Sequence, residues 1–298
     1  MIFRPLALAC ACMLPAYSLC LADITPPMQN ADQQISDFSL SGFGDRGKKT
    51  WDLNGKSADI FEETIRLKDI VGNMYGETEN IKLTAKKGDF DKKENKMHLE
   101  DDVVITTSSG ARLTTNSLDW DRKSNLVKTN DIVNIERKNM TGLAQGAVGQ
   151  TDLKQVRLER DVKIDIALTE ASKPQGDMSK NKLTITCDGP MSVDYEKNVA
   201  RFSNNVRVDR EGSQIYSDVM DVYFSQKSGQ TQSAGDSAVM SSNIEKIVCK
   251  GNVKIVRGEN VSYSDEAVYT MSDRKITLLG KPRLVIYSTE GMDAPSGN

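Results

Sequence analysis

The side chains that could do chemistry are few, and their spacing is that of turns. Carboxylates cluster at Glu100-Asp101-Asp102 and at Asp119 and Asp121. Such groups could hold calcium or act as the acid and base of glycoside hydrolysis. They recur at the ends of strand-like runs, however, where Asp and Asn hold turns by accepting from nearby backbone amides. Turn chemistry is therefore the stronger reading. His98 is the single histidine. It stands between Met97 and Leu99, so period-two alternation points it away from them, to water. A Ser-His-Asp triad would have to be built on it, and no nucleophile-elbow sequence is present. With one histidine, and two cysteines after the N-terminal segment, zinc-ligand spacing is missing. The run Gly42-Phe43-Gly44-Asp45-Arg46-Gly47 fits the dinucleotide fingerprint, and Lys48-Lys49 brings it near a phosphate loop. Both motifs need a helix to follow. Thr50-Trp51-Asp52-Leu53 reads as a strand, so the run is a glycine-rich hairpin turn. No catalytic residue, metal or cofactor is expected.

Cys187 and Cys249 each precede a glycine by two residues. In an exported chain they could form a disulfide, provided that their Cα atoms lie within about 7 Å. The simpler reading makes them small buried apolar side chains at matching strand positions. Phe90, Trp120, Tyr195, Tyr223 and Tyr269 recur at one place in a repeated pattern. A sugar platform is conceivable, but their apolar parity with Leu118 and Val193 favours core or rim packing, which leaves room for a hydrophobic groove.

These residues are positioned by a repeat. Residues 88–135 carry one pattern twice: an aromatic-ended strand, a polar turn, and a returning strand interrupted by Asp or Asn. Phe90 to Val103 and Trp120 to Val133 both span 13 residues. The linking piece Gly110 to Asn116 returns as Gly212 to Asp218 and as Gly258 to Asp265. Such recurrence implies stacked units sharing a core. Period-two alternation runs through Ile65 to Tyr75, Ile81 to Ala85, Val162 to Ile166, Leu183 to Cys187 and Met191 to Tyr195. No sustained 3.6-residue stripe competes with it, so the chain reads as all-β.

The 298 residues have room for about two domains. With 39 basic and 42 acidic side chains well mixed, a nucleic-acid partner is excluded. Hydrophobic residues at 38% and aromatics at 6% suit long sheets with one face in water. Arg4, the apolar run to Leu21 and Cys20-Leu21-Ala22 form a signal peptide cut after Ala22. An uncleaved membrane anchor over residues 5–22 is the alternative. Residues 23–34 read as a leader and Gln226 to Ser242 as a long loop. Pro174 is the first proline after Pro27, and prolines avoid central strands. Accordingly, 1–22 is the signal segment, 23–170 a first domain, 171–182 a linker, 183–290 a second domain and 291–298 a tail.

Several short runs carry a resemblance. Ile35-Ser36-Asp37-Phe38, Trp51-Asp52-Leu53, Leu118-Asp119-Trp120-Asp121 and Met140-Thr141-Gly142-Leu143 resemble LptC, the periplasmic component of the lipopolysaccharide exporter. Val193-Asp194-Tyr195, Asn204 to Val208 and Gly251-Asn252-Val253 resemble the OstA/LptA-type repeat. The resemblance implies two tandem β-jellyrolls, each a V of two antiparallel sheets with an apolar trough between them. It also implies a periplasmic carrier of lipid A acyl chains that bridges inner- and outer-membrane parts of the export machinery by edge-strand pairing. Its partners would be lipopolysaccharide, other jellyroll proteins and inner-membrane transporter subunits. The trough is expected at Val103, Ile105, Leu113, Leu118, Trp120, Val133 and Ile135. In the second module it continues at Val193, Tyr195, Val206, Val208, Ile215, Val253 and Ile255. Arg207 and Lys254 would face water. The competing reading is a structural β-repeat scaffold or adhesin with a closed core and no lipid cargo.

Overall fold

The computed structural model describes residues 31–44, 47–76, 79–137, 140–151, 155–167, 182–225, 244–270, 272–273 and 275–286. The signal segment, most of the leader, the linker up to residue 181, the stretch 226–242 and the tail 291–298 lie outside the described residues.

Among the described residues the first half holds β1 (Gln33–Phe43), β2 (Lys49–Ile60), β3 (Thr64–Tyr75), β4 (Asn80–Asp91), β5 (Lys96–Thr107), β6 (Arg112–Asp121), β7 (Leu126–Arg137), β8 (Met140–Gln150) and β9 (Gln155–Ala167). The second half holds β10 (Lys182–Cys187), β11 (Met191–Asp194), β12 (Val199–Arg210), β13 (Ser213–Phe224), β14 (Ile244–Arg257), β15 (Asn260–Thr270), β16 (Lys275–Leu279) and β17 (Arg283–Val285). The fold is all-β, as the alternation predicts, and every pairing is antiparallel. Each strand from β1 to β9 pairs with the next. The short β10 and β11 together take the place of one long strand: both pair with β9 on one side and β12 on the other. β12 to β15 continue the meander, and β16 and β17 both pair with β15. This is the tandem jellyroll arrangement in one continuous antiparallel system.

The long strands bend in the middle, and the sequence supplies the bend. Register shifts fall between Glu100 and Val103, between Ser203 and Val206, and between Lys250 and Val253. Asp101 and Asp102 there have φ of 64° and 54°, Asn204 and Asn205 of 65° and 51°, and Gly251 and Asn252 of 74° and 47°. Only glycine, and Asn or Asp with their local hydrogen bonds, enter this left-handed region readily. Side chains also stitch neighbouring corners together. Asn204 Nδ2 donates to Gly189 O at 2.7 Å, and Ser117 Oγ to Asp131 Oδ2 at 2.6 Å. A long strand with such a corner thus places its first half in one layer and its second half in the other. The interrupting Asp and Asn of the repeat are these corners.

The hairpin ends use the carboxylates seen in the sequence. Asp91 Oδ1 accepts from the Glu94 amide at 2.7 Å, Asp121 Oδ1 from Lys123 at 2.9 Å, and Asp194 Oδ1 from Lys197 at 2.9 Å. Amide bonds favour the charged form and hold both the Asp121 and Asp194 carboxyls below their usual range, from Ser124 foremost and then Lys123 at Asp121, and from Lys197 at Asp194. His98 is partly exposed, with Nδ1 2.6 Å from Asp119 Oδ1 on the adjacent strand. Of the Gly42 to Gly47 run, Asp45 and Arg46 lie outside the described residues; beside them Gly44 N donates to Lys48 O at 2.8 Å, between the paired β1 and β2. Cys187 and Cys249 are buried and unbonded. β12 and β13 intervene between their strands, which at about 4.8 Å per step puts them beyond bridging range. Burial pushes the Cys249 thiol up to about 11.

Candidate functional site

Between the two layers of the first half lies an apolar cleft of about 330 Å³. It exists because period-two strands from both layers turn the same parity inward. From the first layer come Ile65 on β3, Phe90 on β4, Met97 and Leu99 on β5, and Leu118 and Trp120 on β6. The facing layer supplies Trp51 and Leu53 on β2, Ile81 and Leu83 on β4, Ile105 on β5 and Leu113 on β6. Phe38 and Leu40 of β1 close one side.

Glycines let the walls approach. An ideal Cβ on Gly88 would stand 2.6 Å from Ile70 Cδ1 and 2.9 Å from Leu99 Cδ2. One on Gly42 would stand 2.1 Å from Trp51 Nε1. The Trp51 indole therefore lies against bare backbone at the β1–β2 hairpin.

Two charged side chains, Asp52 and Arg122, are found among the lining residues. Asp52 is buried at 7% exposure. It is fully engaged: Lys49 Nζ lies at 2.8 Å, while Asn73 Nδ2 donates at 2.6 Å and Tyr75 OH at 2.7 Å. Lys49 foremost, then the Asn73 and Tyr75 donors, hold its carboxyl down to about 2. Arg122 sits at the start of the β6–β7 turn. Its guanidinium carbon is 5.5 Å from the Trp51 ring centre, 5.9 Å from Phe90 and 5.7 Å from Trp120. No group of metal-ligating side chains occurs among the described residues.

All fourteen residues expected in the trough lie in the two apolar clusters of the fold. Ile105, Leu113, Leu118 and Trp120 line the cleft. Val103 is fully buried at the corner beneath it. The other nine belong elsewhere. Val133, Val193, Val206 and Val253 are buried in the second cluster, and Ile135, Tyr195, Val208, Ile215 and Ile255 pack against it. There, Phe202 and Met220 are both essentially inaccessible. Arg207 is exposed, and Arg207 and Lys254 stack on Tyr216, at 5.7 and 5.6 Å from its ring centre. Ile35, Phe38, Leu53, Leu83 and Phe90 line the cleft although the sequence reading did not place them in the trough. Alternation marked several as half-buried. Only the spatial return of β1 and β2 shows which of them meet.

The extent of this architecture matches known families. A family model for LptC-related lipopolysaccharide-assembly proteins covers residues 11–167. The chain belongs to that family. A second model, for LptA and LptD N-terminal lipopolysaccharide transport proteins, covers residues 184–298. No curated protein matches the chain. The LptC match ends at the last residue of β9, and the LptA match begins inside β10. The resemblance read from short motifs therefore holds for both halves. The cleft described above lies in the LptC half. Both are families of lipopolysaccharide transport proteins, not of enzymes.

Proposed function

We propose that the chain carries the acyl chains of lipopolysaccharide in the cleft of its LptC half, as a periplasmic part of the bridge between the membranes. The observation that supports this most is the lining: two charged side chains within an otherwise overwhelmingly apolar wall, one of them neutralised by Lys49. Transfer of an acyl chain from water yields about 0.8 kcal/mol per buried CH₂. A lipid with several such chains needs an apolar conduit to cross an aqueous compartment.

The free edges suit assembly into that bridge. β1 pairs only with β2 among the described residues and exposes Ile35, Leu40 and Phe43. At the other end β16 and β17 expose Ile276, Leu279, Leu284 and Val285. Open edges bearing apolar side chains invite strand addition by another sheet. Partner jellyrolls and inner-membrane transporter subunits would dock there.

A photo-crosslinking amino acid at Leu113 and at its neighbour Arg112 tests the carrier reading. Leu113 lines the cleft and Arg112 is exposed on the opposite face. Lipopolysaccharide should be labelled from position 113 and not from 112. Equal labelling, or none at 113, refutes cargo in the cleft and favours the structural scaffold.

A further inference from the structure

We propose that Arg122 and Trp120 form an anchoring site for a phosphorylated lipid headgroup at the mouth of the cleft. The proposal rests on the carrier reading and assigns the polar end of its ligand. Two independent features point to it. The first is an uncompensated cation: among the described residues no carboxylate lies within ion-pair distance of Arg122. Its polar side-chain contact is a long one, from Nη1 to Asn95 Oδ1 at 3.4 Å. The remaining contacts are ring faces. The second is an orphan donor. Trp120 Nε1 is buried and has no hydrogen-bond partner. Leaving such a donor unsatisfied costs on the order of 1–3 kcal/mol. Both groups line the same cleft.

Their place in the fold gives the site a direction. Phe90 and Trp120 lie in the first layer, where Phe90 pairs with Ile65 and with Met97. Trp51 pairs with Met74, in the facing layer. One guanidinium thus spans the lips of the V, above the apolar wall. A ligand that puts hydrocarbon between the layers presents its headgroup here. A planar guanidinium matches phosphate oxygens two at a time, and an aromatic surround removes competing water. The indole N–H beside it is buried and unpaired, and becomes a second donor to a phosphate oxygen, or to the carbonyl at the root of an acyl chain, only when a ligand displaces the ring. Asp52 offers no repulsion, because Lys49 lies against it at 2.8 Å.

The test uses the full-length protein with a neutral apolar dye in the cleft. Two competitors displace it, bisphosphorylated lipid A and the same lipid with its phosphates removed. The wild-type chain should bind the phosphorylated form about tenfold more tightly, the scale of one charge-assisted contact. Arg122→Gln should bind the two lipids alike. Arg122→Lys, which keeps the charge without the fork, should keep part of the preference, and Trp120→Phe should weaken binding of the phosphorylated form. Full discrimination in Arg122→Gln overturns the proposal, and so does equal binding by the wild type. Loss of the preference in millimolar inorganic phosphate assigns the site to free phosphate and overturns the lipid assignment. If neither lipid displaces the dye from wild type, the carrier reading itself fails, and the anchor with it.

Discussion

Asn252 donates from Nδ2 to Asp218 Oδ2 at 2.9 Å, and an ideal Cβ on Gly251 would lie 2.3 Å from that same oxygen. The corner between β13 and β14 thus needs an absent side chain beside a specific one. Gly251 has φ of 74°. Gly258, in the next hairpin turn, has φ of 58° with nothing within 4 Å of its would-be Cβ. Alanine at 258 should cost only the left-handed backbone penalty, about 1–2 kcal/mol. At 251 the clash adds to it, for a total of about 2–4 kcal/mol. Urea denaturation of both variants measures the difference. Equal losses would show that the corner yields freely and that the Asp218 contact does not fix it.

Those corners explain what was and was not legible in the sequence. Alternation alone marks Val162 to Ile166 and Leu183 to Cys187 as strands, because each side chain meets either core or water. The interrupting Asp101-Asp102 and Asn204-Asn205 were visible as turn chemistry. That they sit mid-strand, handing each strand from one layer to the other, is a property of pairing with neighbours and has no local signal. The cleft was half legible for the same reason. Ile105 and Leu118 follow from parity. Inward parity does not separate an open space from a filled one, however. Phe202 and Met220 are both inward and fully buried in the second half, and they meet through the register of β12 and β13. The Arg122 contact with Trp51 joins residues 71 positions apart, beyond the reach of any spacing rule.

Asp52 gives the cleft an acid response. Its carboxyl is held down to about 2, mainly by Lys49, against an ordinary value of about 3.9. A depressed value means that the folded state favours the charged form. The resulting stabilisation is complete above pH 4 and disappears as pH falls through about 2. Asp52→Asn should therefore lower the thermal midpoint at pH 7. The gap between variant and wild type should then close between pH 4 and pH 2, whatever the other carboxylates do. Thermal scans at pH 7, 4 and 2 test this. A gap that stays constant down to pH 2 would show that Asp52 acts through shape and hydrogen bonding rather than charge.

The two modules should hold together without the chain that links them. β9 pairs through Ile164 with Ile185 of β10, and through Val156 with Val193 of β11. Its Leu158, Val162, Ile164 and Ile166 share one cluster with Phe202, Val206 and Val222 of the second half. Burying each such side chain is worth about 1.5–3 kcal/mol, and an unpaired β9 edge would add a cost of its own. A protease site introduced after Lys173 would allow the folded chain to be nicked. The two fragments should co-elute on size exclusion at micromolar concentration and separate only in denaturant. Phe202→Ala, costing about 3–5 kcal/mol, should loosen the nicked pair. Should the fragments part under native conditions, each remaining folded, residues 23–170 and 183–290 are autonomous domains and β9 is an exchangeable docking edge. If they stay together, the fused chain presents its LptC-to-LptA junction already made, leaving β1 and β16–β17 as the edges for other partners.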